Sequence, residues 1–535
     1  MSKLPIRTCR LLLVGVMLAY WPGGSGVIRA TTQNPLTPQE QRGKEIYVRG
    51  TSPSGKDILA YLGEASFEVP GSTVTCANCH GFDGHGKPEG GVRPSNLTWE
   101  ALTKPYGLKH ADGRQHPPYT VRGLELAITR GTDPAGNRLQ RVMPRYQMSP
   151  EDLADLVAYL RSLGRDRDPG ISDDTIVIGT AAPAKGPLAD MGQALKAVTG
   201  AFFDELNDQG GIYNRRVEVK FIDTAETPAA TRANVERMLI EEPVFALTGA
   251  FIAGAEQEVV PLMAQQGVPL IGPLTLYPQT GFPLNRHVFY LLSGVDGQGR
   301  ALLEFAARSS AIGSPAVAVV YPQSEINASV LEAIADQSRK RGLSEPRRYD
   351  YVTGHFDVSD AVKRIEQAGR DAVIFMGTVD EALSFMREAD KRHWFPTMFL
   401  PSGSSGADLF DAPVGFNGKL YASFPNVPPA LSGEGVNDFR ALVAKYRLPT
   451  QHVATQMSAY SAARILVEAM RRVGKDLSRE KLIQALEGLY EFSTGLTPAI
   501  TFGPNRRIGA IGTYVVTIDL KERRFVPVSG WVGVN

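Results

Sequence analysis

Cys76-Ala77-Asn78-Cys79-His80 is the stretch on which the reading of this chain turns. Two thiols three residues apart on one helical turn can add to the two vinyl groups of a single porphyrin. The histidine that follows then faces the iron and supplies its proximal nitrogen. Two other chemistries use the same spacing. Half of a zinc site needs two more ligands, and no second Cys-x-x-Cys is present to supply them. A redox dithiol belongs in a strand–helix–strand pattern, which is missing around these residues. The expectation is one covalently attached haem c, bound through Cys76 and Cys79, with His80 as an axial ligand.

The rest of the cysteine count agrees. The chain has three cysteines, and the third, Cys9, lies near the N-terminus. There Lys3, Arg7 and Arg10 precede an apolar run, Leu11 to Trp21, with small residues from Gly23 to Gly26 and at Ala30. The run falls short of the ~20 residues that span a bilayer. Residues 1–30 therefore read as a secretory signal peptide, giving a periplasmic protein with no membrane span once the signal is cleaved. Cys9 leaves with it, and two lone cysteines at this spacing in an oxidising compartment either bond each other or are consumed by a cofactor. Net charge is +1 over 535 residues, which gives no electrostatic footprint for nucleic acid.

Working outward, Thr37 to Arg49 predicts a helix, with Thr37 as cap, Pro38 at the first position and Glu40 three residues after the cap. Gly50 to Thr75 is rich in Gly, Ser and Pro and predicts a loop with a short helix. Tyr119 to Arg130 reads as a helix stopped by Gly131. Ser149 to Leu163 is the clearest one, with Leu153, Leu156, Val157 and Leu160 on one stripe. Between these two helices, Met143-Pro144 lies in an irregular stretch from which a thioether can reach iron, so Met143 is the expected sixth ligand. Met148, His85, His110 and His116 are the competing ligands, and a core methionine is the plain alternative.

Gly43 to Tyr47, Cys76 to Gly81, Met143-Pro144 and the Asp155 to Leu160 run together resemble a class I cytochrome c. The resemblance covers residues 33–168 and implies an all-α fold around the haem. The long segment before the haem cysteines departs from the family pattern.

Residues 164–174 are charged, carry Pro and Gly, and lack periodicity, so they read as a linker. From Thr175 short apolar strands alternate with amphipathic helices: Thr175 to Thr180, Val217 to Ile222, Val244 to Thr248, then again Ala316 to Val320 and Ala372 to Met376. This rhythm predicts parallel sheets covered on both faces, too long a run for one sheet and hence two Rossmann-like lobes. Hinges are expected near Val295, Tyr421 and Pro449. Gly210-Gly211-Ile212 with Asn214-Arg215, and the strand–helix order over 175–528, resemble a type I periplasmic solute-binding protein of the branched-chain amino acid class. The expected architecture is thus multidomain, an all-α cytochrome c domain followed by an α/β two-lobed periplasmic-binding-protein type I domain.

That resemblance implies a cleft built from Ala253, Gly254, Thr275, Thr378 and Ser402. Members that bind amino acids hold the ligand carboxylate with hydroxyls and backbone N–H groups, and meet its ammonium with an acid. Here the first loop, Gly249 to Ala255, lacks hydroxyls, and Ser402 stands about where the acid belongs. A serine cannot balance a buried ammonium. The ligand is therefore expected to be a small molecule other than a zwitterionic amino acid. Asp380 and Glu381 could supply the missing charge if they faced inward, but solvated acids at a helix start are the simpler reading. A ligand-free structural module is the bland alternative for the whole domain. The combined expectation is an electron carrier, not an enzyme, serving a periplasmic redox partner such as a quinoprotein dehydrogenase or a terminal oxidase. The rival is a transport or sensing receptor whose haem senses redox state or gas; a haem oxidase or peroxidase would need an open iron site.

Overall fold

The computed structural model describes residues 36–534 apart from 64–66, 87–91, 111–112, 164–166, 243, 310–311, 313–314, 324, 403–406 and 429–432. The expected signal peptide lies outside the described residues. The described residues form two compact units: those up to Val74 with Tyr119–Ser162, and Thr75–Pro118 with those from Leu163 onward.

In the first unit, helix Pro38–Arg49 starts with the expected capping box between Thr37 and Glu40, and Gly50, in the left-handed region, ends it. It packs against helix Pro150–Ser162. A side chain at Gly43 would put its Cβ 2.0 Å from the Asp155 carbonyl oxygen, so the bare backbone is what lets the two helices touch. Arg42 pairs with Asp155 at 2.6 and 3.0 Å, and the Tyr47 and Tyr159 rings meet at 5.5 Å. Thr120 caps helix Val121–Arg130, which Gly131 terminates.

The segment before the haem cysteines differs from expectation. It forms a hairpin, Leu59–Leu62 with Phe67–Pro70, followed by a single 3-10 turn, where a loop and short helix were expected. Leu59–Leu62 also pairs antiparallel with Arg145–Gln147, just after Met143, closing a three-stranded sheet. Tyr146, in that last strand, donates to the Val74 carbonyl at 2.6 Å. The helical frame thus carries a small sheet that its periodicity did not announce.

The second unit holds the haem-motif segment and two α/β lobes. The first lobe's sheet is wholly parallel, in the order Ile508–Ala510, Val288–Leu292, Leu270–Ile271, Ala246–Thr248, Thr175–Ala182, Arg216–Asp223. The second runs Arg347–Tyr351, Val317–Pro322, Ala372–Phe375, Thr397–Leu400, Leu420–Phe424 in parallel. Gly512–Asp519 and Arg524–Pro527 then add antiparallel strands at its edge as a closing hairpin. The chain passes between lobes after Leu292, after Phe424 and at Ile511. Pro449 is not a crossing. Its carbonyl accepts from Gln456 within the packing of the first lobe. Ser293 and Gly512, from two of the crossings, are joined by a 3.1 Å bond from the Gly512 N–H to the Ser293 hydroxyl. Among the described residues no helix is long and apolar enough to cross a membrane.

Candidate functional site

Cys76–His80 is a single helical turn, as the motif requires, and it stops at Gly81, whose φ of 76° most side chains avoid. The Gly86 N–H returns to the His80 carbonyl at 2.8 Å and folds the glycine-rich loop back on the helix. His80 is 7% exposed, and its Nδ1 lies 2.9 Å from the Ser95 carbonyl oxygen. A carbonyl only accepts, so Nδ1 carries the proton and Nε2 keeps its lone pair. Burial lowers the His80 pKa, with the Ser95 bond opposing it, which favours the neutral imidazole that a metal needs. Desolvation pushes the Cys76 thiol up to about 12. The donor set therefore fits a covalently held haem: two neighbouring thiols, and an imidazole pre-oriented by a backbone acceptor. When bound, that group supplies reversible one-electron chemistry at iron.

Met143 belongs to the first unit. It is half-buried in a turn closed by its N–H to the Gln140 carbonyl at 3.1 Å, while its own carbonyl accepts from the Arg145 guanidinium. Of the competing histidines, His85 stands 3.6 Å from Asp83, and the His110 and His116 Nε2 atoms are 3.0 Å apart. Asp83 also receives the Lys481 ammonium at 2.9 Å, from helix Arg479–Glu487 of the first lobe.

The expected cleft residues all sit at the C-terminal ends of adjacent parallel strands, where ligands of such sheets bind. In the first lobe two loops zip together: the Leu274 N–H donates to the Ala250 carbonyl at 2.8 Å and the Ile252 N–H to the Leu274 carbonyl at 3.1 Å. Gly254 and Thr275 are then joined by a residue absent from the expected set. Glu256, 3% exposed at the start of helix Glu256–Gln266, accepts the Gly254 N–H at 2.9 Å with one carboxyl oxygen and the Thr275 hydroxyl with the other. Ala253 is half-buried beside them. The Thr275 oxygen in turn accepts the Tyr277 N–H at 2.9 Å. Desolvation, with Glu256 close by, raises the Tyr277 phenol above its ordinary value.

In the second lobe Thr378 is the N-cap of helix Val379–Lys391, exchanging hydrogen bonds with Glu381 in a capping box. Glu381 also accepts the Tyr351 hydroxyl at 2.8 Å and the Thr378 N–H at 2.8 Å. It is thus a satisfied helix-start acid. The Ser402 N–H donates at 2.8 Å to Gln298, a buried residue whose same oxygen accepts the Ser423 hydroxyl at 2.7 Å. Sequence reasoning missed Ser95, Glu256 and Gln298. The one signal for Glu256 was a carboxylate placed immediately after a Gly-Ala loop end, which also describes an ordinary helix start.

Two family models match the chain: periplasmic binding protein over residues 175–523 and cytochrome c over residues 63–164. The Leu/Ile/Val-binding protein homolog 3 of Brucella melitensis is 23% identical over 58% of this chain and 83% of its own length. The leucine-, isoleucine-, valine-, threonine- and alanine-binding protein of Pseudomonas aeruginosa is 21% identical over 60% of this chain and 85% of its length. Among solved structures, a branched-chain amino acid ABC transporter protein of Thermus thermophilus with bound valine superposes with TM-score 0.57 at 20% identity, covering 68% of this chain and 98% of that one. A fatty acid ABC transporter substrate-binding protein of Thermomonospora curvata gives TM-score 0.58 at 17% identity, over 69% and 95%. Such distant likenesses show the two-lobed fold and leave the ligand open.

Proposed function

The chain belongs to the periplasmic binding protein family and carries a cytochrome c domain ahead of it; from that premise we propose an exported, haem-bearing receptor for a small molecule that is not a zwitterionic amino acid. One observation carries the ligand reading. Glu256 already occupies the Gly254 N–H and the Thr275 hydroxyl, the donors that a ligand carboxylate would take at this helix start. A second carboxylate brought there would meet a like charge that already holds these donors, which is costly out of water. Glu381, in the first turn of helix Val379–Lys391, is committed to its own cap and to Tyr351, and Asp380 before it is exposed, so an ammonium finds no free partner in Glu381. An uncharged polar or apolar molecule, such as an alcohol, aldehyde, amide or aromatic, suits the site better. The proposed contacts are Ala253, Gly254, Thr275, Thr378 and Ser402.

In this reading residues 33–168 are the electron-carrying domain, with one haem c on Cys76 and Cys79, iron held by His80 and Met143, and no catalytic residue. Residues 175–528 are the receptor. The redox partner is a periplasmic dehydrogenase or oxidase that exchanges single electrons. A second reading, in which the haem reports redox state to the receptor, is favoured by the Asp83–Lys481 pair between the haem loop and the first lobe.

The test is a thermal-shift screen of oxidised and reduced holoprotein against small alcohols, aldehydes, amides, aromatic acids, leucine and valine. A neutral compound should raise Tm while leucine and valine leave it unmoved. Tight leucine or valine binding in calorimetry would sink the ligand reading.

A further inference from the structure

We propose that Asn426 sets the chemistry of the ligand. Its Oδ1 accepts one hydrogen bond from an uncharged molecule that carries an O–H or N–H, an alcohol or an amide and not an aldehyde. This rests on the neutral-ligand reading above and narrows it. Asn426 lies just past strand Leu420–Phe424, on the second crossing between the lobes, and is wholly buried. Its Nδ2 donates at 2.9 Å to the Ala454 carbonyl and at 2.9 Å to the Ser458 hydroxyl. A carbonyl only accepts, so turning the amide over would set oxygen against oxygen at Ala454. The amide is therefore fixed, and Oδ1 is the atom left over. It has no hydrogen-bond partner among the described residues. A buried acceptor without a donor is costly to keep, which calls for an occupant that donates.

Helix Val453–Val473 fixes where that oxygen lies. One end of the helix meets the edge at which the first lobe's strands begin: the Tyr213 hydroxyl, just before strand Arg216–Asp223, donates to the Arg471 carbonyl at 2.7 Å. Its middle runs under both cleft loops. A Cβ at Gly249 would lie 3.4 Å from the Ala459 Cα, and one at Gly272 would lie 2.5 Å from the Ala462 Cβ. Ala454 and Ser458 therefore stand at the helix end beyond the C-terminal strand ends, and Asn426 bonds both at the floor of the cleft. Phe251 and Leu274 of the cleft loops pack on the same apolar cluster as Val427, the residue after Asn426. Other buried polar groups of the cleft are committed: Glu256 to Gly254 and Thr275, and the Gln298 oxygen to Ser402 and Ser423. Asn426 Oδ1 is thus an uncommitted acceptor beside apolar walls. An alcohol or amide brings the proton it needs, whereas an aldehyde or ketone can only accept. Gln456 supplies a comparison: it is equally buried and its Oε1 is also unpartnered, but its Nε2 holds the Pro449 and Gln451 carbonyls, on the loop that enters the helix.

The test uses the full-length holoprotein and two pairs of probes matched in size, cyclohexanol with cyclohexanone and benzyl alcohol with benzaldehyde. Calorimetry and thermal shift are read for each. The alcohol of at least one pair should bind at least about tenfold more tightly than its carbonyl twin. Asn426→Leu should bring the twins to within about twofold of each other, while Gln456→Leu should keep the parent's ratio. Equal binding of both twins by the parent, a result that needs no variant, would overturn the role of Asn426. It would leave the neutral-ligand reading standing, with a buried water on Oδ1 instead. An undiminished ratio in Asn426→Leu would overturn the role as well. No response to any of the four probes would do the same, and tight leucine or valine binding beside that silence would bring down the ligand reading itself.

Discussion

Lys481 Nζ stands 2.9 Å from Asp83 Oδ2, so a cation of the first lobe grips the loop that follows His80. Desolvation alone would raise the Asp83 carboxyl; its bonds to Lys481 and to the His85 N–H override that and hold it below the ordinary value.

The pair should therefore be felt in acid. A carboxyl whose pKa is depressed on folding contributes stability above its unfolded value and loses it as pH falls further. The difference between the parent and Lys481→Ala, about 1 kcal/mol at neutral pH, should narrow below roughly pH 4. Denaturant melts across pH 3 to 7 read this. A gap that stayed constant into acid would mean the pair does not set it. Under the sensing reading, the same variant should also erase any redox dependence of the ligand-induced thermal shift.

Gly43→Ala should open the contact between helices Pro38–Arg49 and Pro150–Ser162. Its Cβ has no room against the Asp155 carbonyl, and overpacking of this kind costs roughly 1–3 kcal/mol. Urea unfolding followed by haem absorbance is the measurement, and an unchanged midpoint would show that the helices slide apart freely.

Glu256→Ala should convert the receptor's preference. Removing the carboxyl frees the Gly254 N–H and the Thr275 hydroxyl, at a stability cost of about 1–3 kcal/mol for the donors left behind. The variant should gain Tm with a small carboxylate such as acetate, whereas the parent should not. If both respond alike, Glu256 is a helix-start acid and no more.

Met143→Ala tests the sixth ligand. If Met143 holds the sixth position, the reduced parent should resist carbon monoxide and the variant should bind it rapidly. Rapid binding by the parent would point instead to an open site and to the gas-sensing or oxidase chemistries.

Much of the frame was legible because the physics that builds it is local. The Thr37–Glu40 capping box and the strand–helix rhythm from Thr175 are written within a few residues of each other. What escaped was non-local or side-chain-neutral. Strand Leu59–Leu62 is short, and its partner Arg145–Gln147 lies far along the chain. Ser95 acts through a backbone carbonyl, which any residue owns. Glu256 looks like every acid at a helix start until its two partners are seen to come from both cleft loops. Thr378, one of the proposed contacts, also caps its own helix, a local role the sequence reading did not state.

The haem-motif segment Thr75–Pro118 is contiguous in sequence with one compact unit and belongs by its contacts to the other. Modules as inherited and bodies as folded are therefore cut along different lines. A recombinant fragment beginning at residue 175 would strip Lys481 of Asp83, and a cytochrome fragment ending before it would carry its haem turn without that anchor. A different receptor swapped onto this haem would keep that anchor only if it offered a cation where Lys481 stands.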